Sequence, residues 1–599
     1  MNWSQELLHS AIWLGEATAI TLVASLLLGV MLTRSTVWGR QFWRLAAPFF
    51  TPRISGWRPL LSLGAILLIT LAGVRVNVLF SRWYNEMYSA LQQLNVKLFW
   101  ASMLIFGVLA AVHVGRSLLE YYLRQVFSIH WRESLNEYFL GKWLDKQGYY
   151  RSQHLARPAD NPDQRIQQDI SSFVGSSLSL AMGVIDALVS TFEFTLILWG
   201  LSGMFALFGV EIPRGLVFMV YIYVIVATVL AFRIGKPLVR LNFLNEKFGA
   251  DYRYALVRLR EYGENIAFYR GERVEGATLR QRFRQVIGNA WDIVHRTLKL
   301  SGFNLIVSQT GVIFPFILQA PRFFSKQITL GDMVQTSQAF GQLQSNLSFF
   351  RSAYDEFAGF KAVLDRLTGF IDAIHNADQL PTPQLTTQNE GLSVRQLTLR
   401  TPDGQTLLTE LGFSLGAGQA LLIRGPSGSG KTTLLRAIAG LWPHCDGHIQ
   451  RPPQSEVLFL SQRPYLPLGS LRAALHYPHP VTAAADNARA EDVLRAVQLG
   501  HLVNKLDEEA DWGRILSLGE QQRLAFGRLL LAAPKVVFLD EATSAMDEGL
   551  EDALYRLLRS SLPQATLVSV GHRSTLQVHH QFALTLRSGG EWQLAPLNG

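Results

Sequence analysis

The chain has 599 residues, of which 49% are hydrophobic and 17% are charged, and its formal net charge is +9. This length exceeds a single ordinary domain, and this hydrophobic share exceeds that of most soluble proteins. No basic patch interleaved with aromatic residues accompanies the positive charge, so we expect no nucleic-acid partner. Cys445 is the only cysteine, which excludes an intrachain disulfide.

The hydrophobic excess lies in the first 370 residues, where seven stretches are long and apolar enough to span a bilayer. They are residues 11–33, 60–80, 98–119, 173–200, 215–231, 303–320 and 333–350. The sequence therefore predicts an integral membrane protein with the lipid bilayer as a partner.

The distribution of Lys and Arg predicts the topology of these stretches. Residues 34–58 contain five arginines and no acidic residue, and residues 116–157 and 233–299 form long basic connections. Because such residues accumulate on the cytoplasmic side, we expect the N-terminus outside and the C-terminal region in the cytoplasm. We expect the basic elbow, residues 34–59, to be an interfacial helix that anchors the chain.

A glycine-rich loop with the spacing G-x-x-x-x-G-K-[ST] follows an apolar strand and opens a helix. The loop and the next residue are Gly425, Pro426, Ser427, Gly428, Ser429, Gly430, Lys431, Thr432 and Thr433. Backbone amides at such a turn bind phosphates, Lys431 adds a positive charge, and the Thr432 hydroxyl is a ligand for Mg²⁺. The spacing predicts a site for ATP with Mg²⁺ as cofactor.

Five further features follow the loop in a fixed order. They are Gln462 after a strand, the segment 516–523, Asp540 and Glu541 after an apolar strand, the segment 544–547, and His572 after another strand. In this order they resemble the Q-loop, signature, Walker B, D-loop and H-loop of ATP-binding cassette (ABC) ATPases, over about residues 391–599.

The chemistry of these residues predicts ATP hydrolysis. Asp540 ends a buried strand and directs a carboxylate toward Mg²⁺, which makes Thr432, Gln462 and Asp540 the predicted metal ligands. Glu541 is the predicted general base, with His572 near the γ-phosphate and Gln462 near the attacking water.

The resemblance also implies a partner. In this family two cassettes face each other, and the signature of one caps the nucleotide of the other, so one cassette per chain implies a homodimer. We expect Ser517, Gly519, Glu520 and Asp547 to complete the nucleotide site. The family's Leu-Ser-Gly-Gly-Gln is Leu-Ser-Leu-Gly-Glu here, and Leu518 replaces a glycine that would permit a positive φ, which affects the expected turnover.

Segments outside the cassette extend the resemblance over nearly the whole chain. Residues 149–151, 161–166 and 264–271 resemble segments of peroxisomal-type (D subfamily) ABC transporters, and residues 82–86 resemble the bacterial SbmA/BacA group and its cassette-fused relatives. This implies an α-helical, exporter-like transmembrane domain of six core helices plus one N-terminal helix, fused to an α/β P-loop ATPase domain. It also implies a bacterial inner membrane.

The predicted domains are the N-terminal helix with the elbow at 1–59, a transmembrane domain at 60–370, a linker at 371–390, and the nucleotide-binding domain at 391–599. The linker is proposed because residues 371–390 are rich in Pro, Thr, Gln and Asn and have no apolar period.

Two sets of polar residues within the spans are candidates for a cargo pathway. Asp186 and Glu193 lie seven residues apart on one helical face, and they line the pathway or pair with Arg75 or His113 on neighbouring helices. The second set forms a polar stripe along the last span, which favours a wet cavity. Its members are Gln335, Gln338, Gln342, Ser345 and Asn346.

The sequence thus predicts a transporter driven by ATP hydrolysis, with a polar, peptide-like or cobalamin-like cargo of a kind that the related families handle. The alternative is a membrane ABC ATPase that acts as a receptor or regulator without moving cargo. The polar stripe favours transport, and the direction stays open.

Overall fold

The computed structural model describes residues 3–155, 158, 161–207, 210–481, 487–587 and 589–597. It separates into two compact units. The membrane unit contains Met1–Gly141 and Asn161–Ile371, and the cassette unit contains Lys142–Asp160 and Asp372–Gly599. The domain boundaries inferred from sequence stay a prediction, since the cassette unit also takes in a segment from between two predicted spans.

Helices dominate the first 378 residues. They are α1 (Trp3–Ser35), α2 (Val37–Phe50), α3 (Pro52–Ser55), α4 (Arg58–Gln92), α5 (Val96–Leu144), α6 (Gly148–Arg151), α7 (Pro162–Gln164), α8 (Ile170–Leu201), α9 (Gly215–Glu261), α10 (Gly263–Tyr269), α11 (Glu272–Phe324) and α12 (Leu330–Asp378). A hairpin of β1 (Met204–Leu207) and β2 (Val210–Pro213) joins α8 to α9.

Six helical segments in the described part of the chain are long and apolar enough to cross a membrane, and they contain the first six predicted spans. A bilayer core accommodates such helices because each one satisfies its own backbone hydrogen bonds. The seventh predicted span, 333–350, lies on α12, where amide and hydroxyl side chains interrupt the apolar residues. This polar character sets α12 apart from the other spans.

The elbow helix α2 packs on the core of the membrane unit through aromatic rings. Phe49 stacks on Trp131 of α5 with ring centroids 5.6 Å apart, and Phe42 lies 5.8 Å from Phe173 of α8. Each such pair contributes about 0.5–1.5 kcal/mol beyond area burial. The exposed face of α2 carries Arg40 and Trp43, a composition that suits a helix at the membrane interface.

The cassette unit is built on two main sheets. Its strands are β3 (Gln384–Thr387), β4 (Leu392–Arg400), β5 (Thr406–Leu415), β6 (Ala420–Arg424), β7 (Cys445–Arg451), β8 (Val457–Leu460), β9 (Gly469–Ser470), β10 (Glu509–Ala510), β11 (Val536–Asp540), β12 (Thr566–Val570), β13 (Phe582–Leu586) and β14 (Trp592–Pro596). The six-stranded sheet has the order β14-β13-β6-β12-β11-β8, and the four-stranded sheet has the order β3-β7-β4-β5.

Strands β13, β6, β12, β11 and β8 run parallel, so their carboxyl ends lie at one edge of the sheet. Helices cover this sheet, and the apolar residues of its central strands are fully buried. The helices of this region are α13 (Lys431–Ile438), α14 (Leu471–His476), α15 (Asn487–Ala496), α16 (Trp512–Ile515), α17 (Leu518–Ala532) and α18 (Glu548–Ser561). Of the predicted linker, residues 384–387 form β3 and pair with β7.

The segment 142–160 folds with the cassette unit although the sequence places it between two spans. Arg151 is the last residue of the short helix α6, and it donates to the backbone carbonyls of Ala377 and Leu380, at 3.1 and 2.7 Å. The imidazole of His154 meets the indole of Trp442 edge-on, with ring centroids 5.2 Å apart. Burial lowers the pKa of His154, and His444 and Arg436 lower it further, so this imidazole is neutral at pH 7.

Candidate functional site: the nucleotide-binding edge of the cassette

The phosphate loop connects β6 to α13 at the carboxyl edge of the parallel sheet. Gly425, Gly428 and Gly430 have φ values of +148°, +81° and +89°, which L side chains rarely adopt. A Cβ atom on Gly425 would lie 2.6 Å from the carbonyl oxygen of Leu586. The loop is therefore a cradle that only glycines can form.

The polar groups of this loop fit a polyphosphate. Lys431 Nζ donates to the carbonyls of Gly425 and Pro426 at 2.8 and 2.9 Å, so the ammonium lies across the cradle. The hydroxyl of Ser429 is buried and has no hydrogen-bond partner in the described part of the chain. A phosphate oxygen would supply the partner that the Ser429 hydroxyl lacks.

Three of the predicted motif residues meet next to the loop. Thr432 Oγ1 donates to Asp540 Oδ1 at 3.3 Å, and Gln462 Nε2 donates to Glu541 Oε2 at 3.1 Å. The His572 Nε2 atom lies 3.7 Å from Glu541 Oε1. Residues from three other segments thus converge on one pair of adjacent carboxylates, because β6, β8, β11 and β12 end at the same edge.

The two carboxylates differ in their surroundings. Burial raises the pKa of Asp540, the bond from Thr432 opposes this rise, and the neighbouring Glu541 adds to it. A divalent cation at this position compensates such a buried charge. Glu541 has a φ of +50°, and its amide donates to the Val570 carbonyl at 3.1 Å, so the backbone is held in a left-handed conformation that aims this side chain.

The signature segment begins α17 with a capping box. Ser517 Oγ donates to Glu520 Oε2 at 2.8 Å and accepts from the Glu520 amide at 3.4 Å. Burial of Glu520 tends to raise its pKa, but the bonds from Ser517 outweigh this and lower it, so the carboxylate stays charged. Leu518 is the first residue of α17 and is absent from the positive-φ residues, so a glycine is not required there. The effect of Leu518 on turnover therefore stays a prediction.

Gln522 joins three motifs, and the sequence reasoning did not single it out. It donates to the carbonyl of Gln462 at 2.8 Å and to Ser544 Oγ at 3.2 Å, and it accepts from the Ala545 amide at 3.1 Å. Gln522 is completely buried, although most residues of the same motif are half-buried, and the spacing of the motif does not predict this. Asp547 caps α18 by accepting from the Leu550 amide at 2.8 Å.

Glu193 lies within electrostatic range of Arg75, one of the partners considered from the sequence, and both Asp186 and Glu193 have further neighbours. Glu193 accepts a hydrogen bond from the Trp13 indole of α1 at 2.9 Å. Asp186 lies within electrostatic range of Glu120 and Arg124 on α5. Among the described hydrogen bonds, neither carboxylate binds Arg75 or His113.

Arg75 instead joins α4 to α1. Its guanidinium binds Glu6 at 2.5 Å and Ser10 at 2.9 Å, and Arg82 reaches the same carboxylate. Together with the bond from Trp13 to Glu193, these contacts fix the N-terminal helix on the core of the membrane unit. We call Glu6, Arg75 and Arg82 the α1 clamp.

The polar stripe of α12 divides into two sets. Gln335 accepts from Asn85 at 2.7 Å, and Asn346 donates to Ser190 at 2.8 Å, so these two residues are buried with partners in the same chain. The other three residues are exposed or half-buried. They are Gln338, Gln342 and Ser345.

The fold and this edge define an ATP-hydrolysing cassette fused to a membrane domain. Two family profiles match, namely ABC transporter transmembrane region 2 over residues 45–324 and ABC transporter over residues 408–544. An exporter fold is also shown by a solved structure, a bacterial Atm1-family ABC exporter with ATP bound. It has a TM-score of 0.70 at 18% identity, and the match covers 89% of this chain and 94% of that one.

The chain belongs to the ABC transporter family. It is 51% identical to an uncharacterized ABC transporter ATP-binding protein of Haemophilus influenzae, over 99% of this chain and 100% of that protein. It is 33% identical to the chloroplastic ABC transporter D family member 2 of Arabidopsis thaliana, over 92% and 86% of the two chains. It is 34% identical to the inner membrane ABC transporter ATP-binding protein YddA of Escherichia coli, over 85% and 90%. The resemblance to D-subfamily proteins and to cassette-fused relatives is confirmed.

Proposed function

We propose that the chain works as a homodimer that couples ATP hydrolysis to the movement of a polar cargo across a bacterial inner membrane. The observation that carries this proposal is the exposed polar face of α12. Gln338 and Ser345 are exposed on a helix whose opposite face packs in the core. Polar side chains at membrane depth face a water-filled cavity or a partner rather than lipid.

In the proposed hydrolysis, Glu541 takes a proton from the attacking water. Gln462 and His572 flank its two carboxylate oxygens, at 3.1 and 3.7 Å, and orient them. Lys431 and the loop amides bind the β- and γ-phosphates of ATP. Thr432, Asp540 and Gln462 would hold Mg²⁺, which neutralises phosphate charge when bound.

Two exposed features support a homodimer. Ser517 is exposed, and its described contacts are with Glu520 of the same helix rather than with the phosphate loop. In addition, Phe268 and Tyr269 at the end of α10 are 78% and 87% exposed. Exposed aromatic residues at a hairpin tip mark a protein contact site. A second copy of the chain supplies the missing surface in both cases.

The membrane orientation belongs to the same proposal. The arginines of α2 and its flanks place this helix on the cytoplasmic side, which puts the N-terminus of α1 outside. The ATP-binding cassette then lies in the cytoplasm, where ATP is available.

The experiment that tests transport uses the full chain in liposomes with the cassette facing outward. We expect ATP to drive uptake of cyanocobalamin or of a labelled cationic peptide, with no uptake in the Glu541→Gln variant. These two probes follow from the cargo of the related families. ATP hydrolysis without uptake of either probe, and without ATP-driven release of either probe from preloaded liposomes, would favour the receptor or regulator function instead.

A further inference from the structure

The membrane unit contains a cavity of about 200 Å³ between α9, α11 and α12. Its polar lining comes from Thr228 of α9, Asn304 and Ser308 of α11, and Gln344 and Ser348 of α12. The remaining lining residues are apolar, and no lining residue is charged. A volume of this size holds several water molecules or one group as large as an amino-acid side chain.

Several polar groups of this cavity have no protein partner. Within the part of the chain that the structure describes, the side chains of Thr228, Ser308, Gln344 and Ser348 make no hydrogen bond. Other polar residues of α12 are paired, as Gln335 is with Asn85. Since unpaired polar groups at membrane depth are costly, the half-buried side chains of Thr228, Gln344 and Ser348 are directed at something that the cavity contains. Ser308, which is exposed, also lines the cavity.

The amide of Gln344 lies close to the backbone of α11. A Cβ atom at Gly311 would lie 2.3 Å from Gln344 Oε1, so a larger residue there would displace this amide from its present position. Next to the cavity, Tyr223, Phe314 and Phe340 form a compact cluster with centroids 5.6 to 5.8 Å apart. The Tyr223 hydroxyl donates to the carbonyl of Val307, which is itself a lining residue.

The cavity also adjoins the exposed face of α12. Ser345 follows Gln344 directly, and Ser348 lies three residues further on, so Ser345 and Ser348 share one side of the helix. A molecule in contact with the exposed face therefore reaches the cavity without crossing an apolar barrier.

We propose that this cavity is a binding pocket for an uncharged hydrogen-bonding group of the cargo, such as a carboxamide. The amide and hydroxyl lining both donates and accepts, which suits an amide or hydroxyl group. It rejects carboxylates and ammonium groups, because an unpaired charge there loses its hydration without compensation. The identity of the occupant as cargo rests on the proposed transport function, but the selectivity of the pocket does not.

The chain offers a direct test, because its single cysteine is buried in the cassette and Cys445→Ser removes the background. In that background, Ser308→Cys in lipid nanodiscs is treated with three thiol reagents of similar size. They are neutral 2-hydroxyethyl methanethiosulfonate, its anionic sulfonatoethyl analogue and its cationic trimethylammonioethyl analogue. We expect the neutral reagent to react at least about tenfold faster than either charged reagent, which corresponds to about 1.4 kcal/mol.

Two control variants correct for intrinsic reactivity and for partition into lipid. Ser345→Cys on the exposed face gives the ratio of the neutral to the charged labelling rates outside the pocket. Ile306→Cys, which is 68% exposed, gives the same ratio at a lipid-facing position on the helix that carries Ser308. Equal ratios at Ser308 and at either control would overturn the proposal. Ser348→Cys replaces Ser308→Cys if the latter does not fold.

A protection experiment identifies the preferred group. N-acetylglutamine amide should slow the labelling of Ser308→Cys at least twofold, whereas the isosteric N-acetylglutamate amide should leave it unchanged. Equal protection by both compounds, or by neither, would contradict the pocket. Labelling requires no ATP, so the two proposals can fail separately. Selective labelling without uptake in liposomes would count against transport alone. Uptake in liposomes without selective labelling would count against the pocket alone.

Discussion

The two units use charged residues in opposite ways. In the membrane unit, the α1 clamp pairs Arg75 with Glu6 inside a helix interface, where the two side chains are only 9% and 12% exposed. In the cassette unit, Asp540 and Glu541 are adjacent carboxylates whose described partners are a hydroxyl, an amide and one imidazole. Charges compensated within the chain stabilise it, whereas charges left uncompensated are available to a ligand.

The variant with the largest expected effect removes a charge from the nucleotide site. Glu541→Gln should lower ATP hydrolysis by about 10²- to 10⁴-fold, because the general base is lost. Its melting temperature should stay near that of the original chain, since among the described ion pairs Glu541 has only the imidazole of His572 and no Lys or Arg. Phosphate release and thermal melting of the full chain in nanodiscs measure both quantities.

Glu591→Gln, at an exposed position, is the matched control for the loss of one carboxylate. Hydrolysis near the original rate in Glu541→Gln would show that another group acts as base.

Removing one charge from the α1 clamp in the membrane unit should instead lower the stability of the chain. Arg75→Met leaves Glu6 buried with only the partly exposed Arg82, which should cost about 3–5 kcal/mol of stability. The double variant Glu6→Gln/Arg75→Met should recover most of this loss, because the uncompensated charge is gone. Unfolding of the full chain in mixed micelles measures these differences.

Arg82→Met is the control for the clamp, since its side chain is 40% exposed and its loss leaves the bond between Arg75 and Glu6 intact. If all three variants were equally stable, α1 would be held by apolar packing alone.

His580 is a further case in the cassette unit, because its imidazole is buried there and hydrogen-bonded in the uncharged form. Its Nδ1 lies 2.6 Å from the Leu576 carbonyl and its Nε2 lies 2.8 Å from Ser569 Oγ, and burial lowers its pKa to about 4. Since the unfolded chain takes up this proton near pH 6.5, folded stability should fall as the pH drops from 6.5 to 4, by about 3 kcal/mol.

His580→Gln should flatten this acid dependence of the cassette melting temperature, whereas His448→Gln, at an exposed position of β7, should not. An unchanged pH profile in His580→Gln would assign the acid sensitivity to other groups.

The smallest expected effect concerns Leu518. Because this residue has helical backbone at the start of α17, Leu518→Gly should change ATP turnover by no more than about twofold and should cost at most about 1 kcal/mol in helix stability. A much larger gain in turnover would show that the catalytic conformation needs a backbone angle other than the one seen here. Leu516→Ala, in the same segment but buried, would lower stability instead.

The sequence anticipated the cassette site more fully than the membrane unit, for a physical reason. Parallel strands end at one edge, so a motif at the end of a strand has a fixed position, and Gln462 and Glu541, which were singled out from the order of the motifs, lie within hydrogen-bonding distance. A residue on a long helix has no such fixed partner, because rotation and register are set by packing. Hence the spans were recognised, but the bond from Trp13 to Glu193 was not.

Buried amide side chains account for most of the remaining features that the sequence did not predict. Gln335 and Gln522 were each placed in a polar motif, and both proved to be enclosed by side chains that the local sequence does not specify. The cavity near Gln344 likewise depends on Gly311, which lies 33 positions away in the chain.

The docking of segment 142–160 on the cassette unit has a consequence for biosynthesis. His154 emerges from the ribosome about 290 residues before its partner Trp442, which at 5–20 residues per second is a delay of roughly 15 to 60 seconds. During that interval α5 and α8 are already inserted, while the tip between them has no surface on which to fold. The nascent protein therefore exposes this tip to chaperones and proteases until translation of the cassette is well advanced, and truncation before Trp442 leaves it exposed permanently.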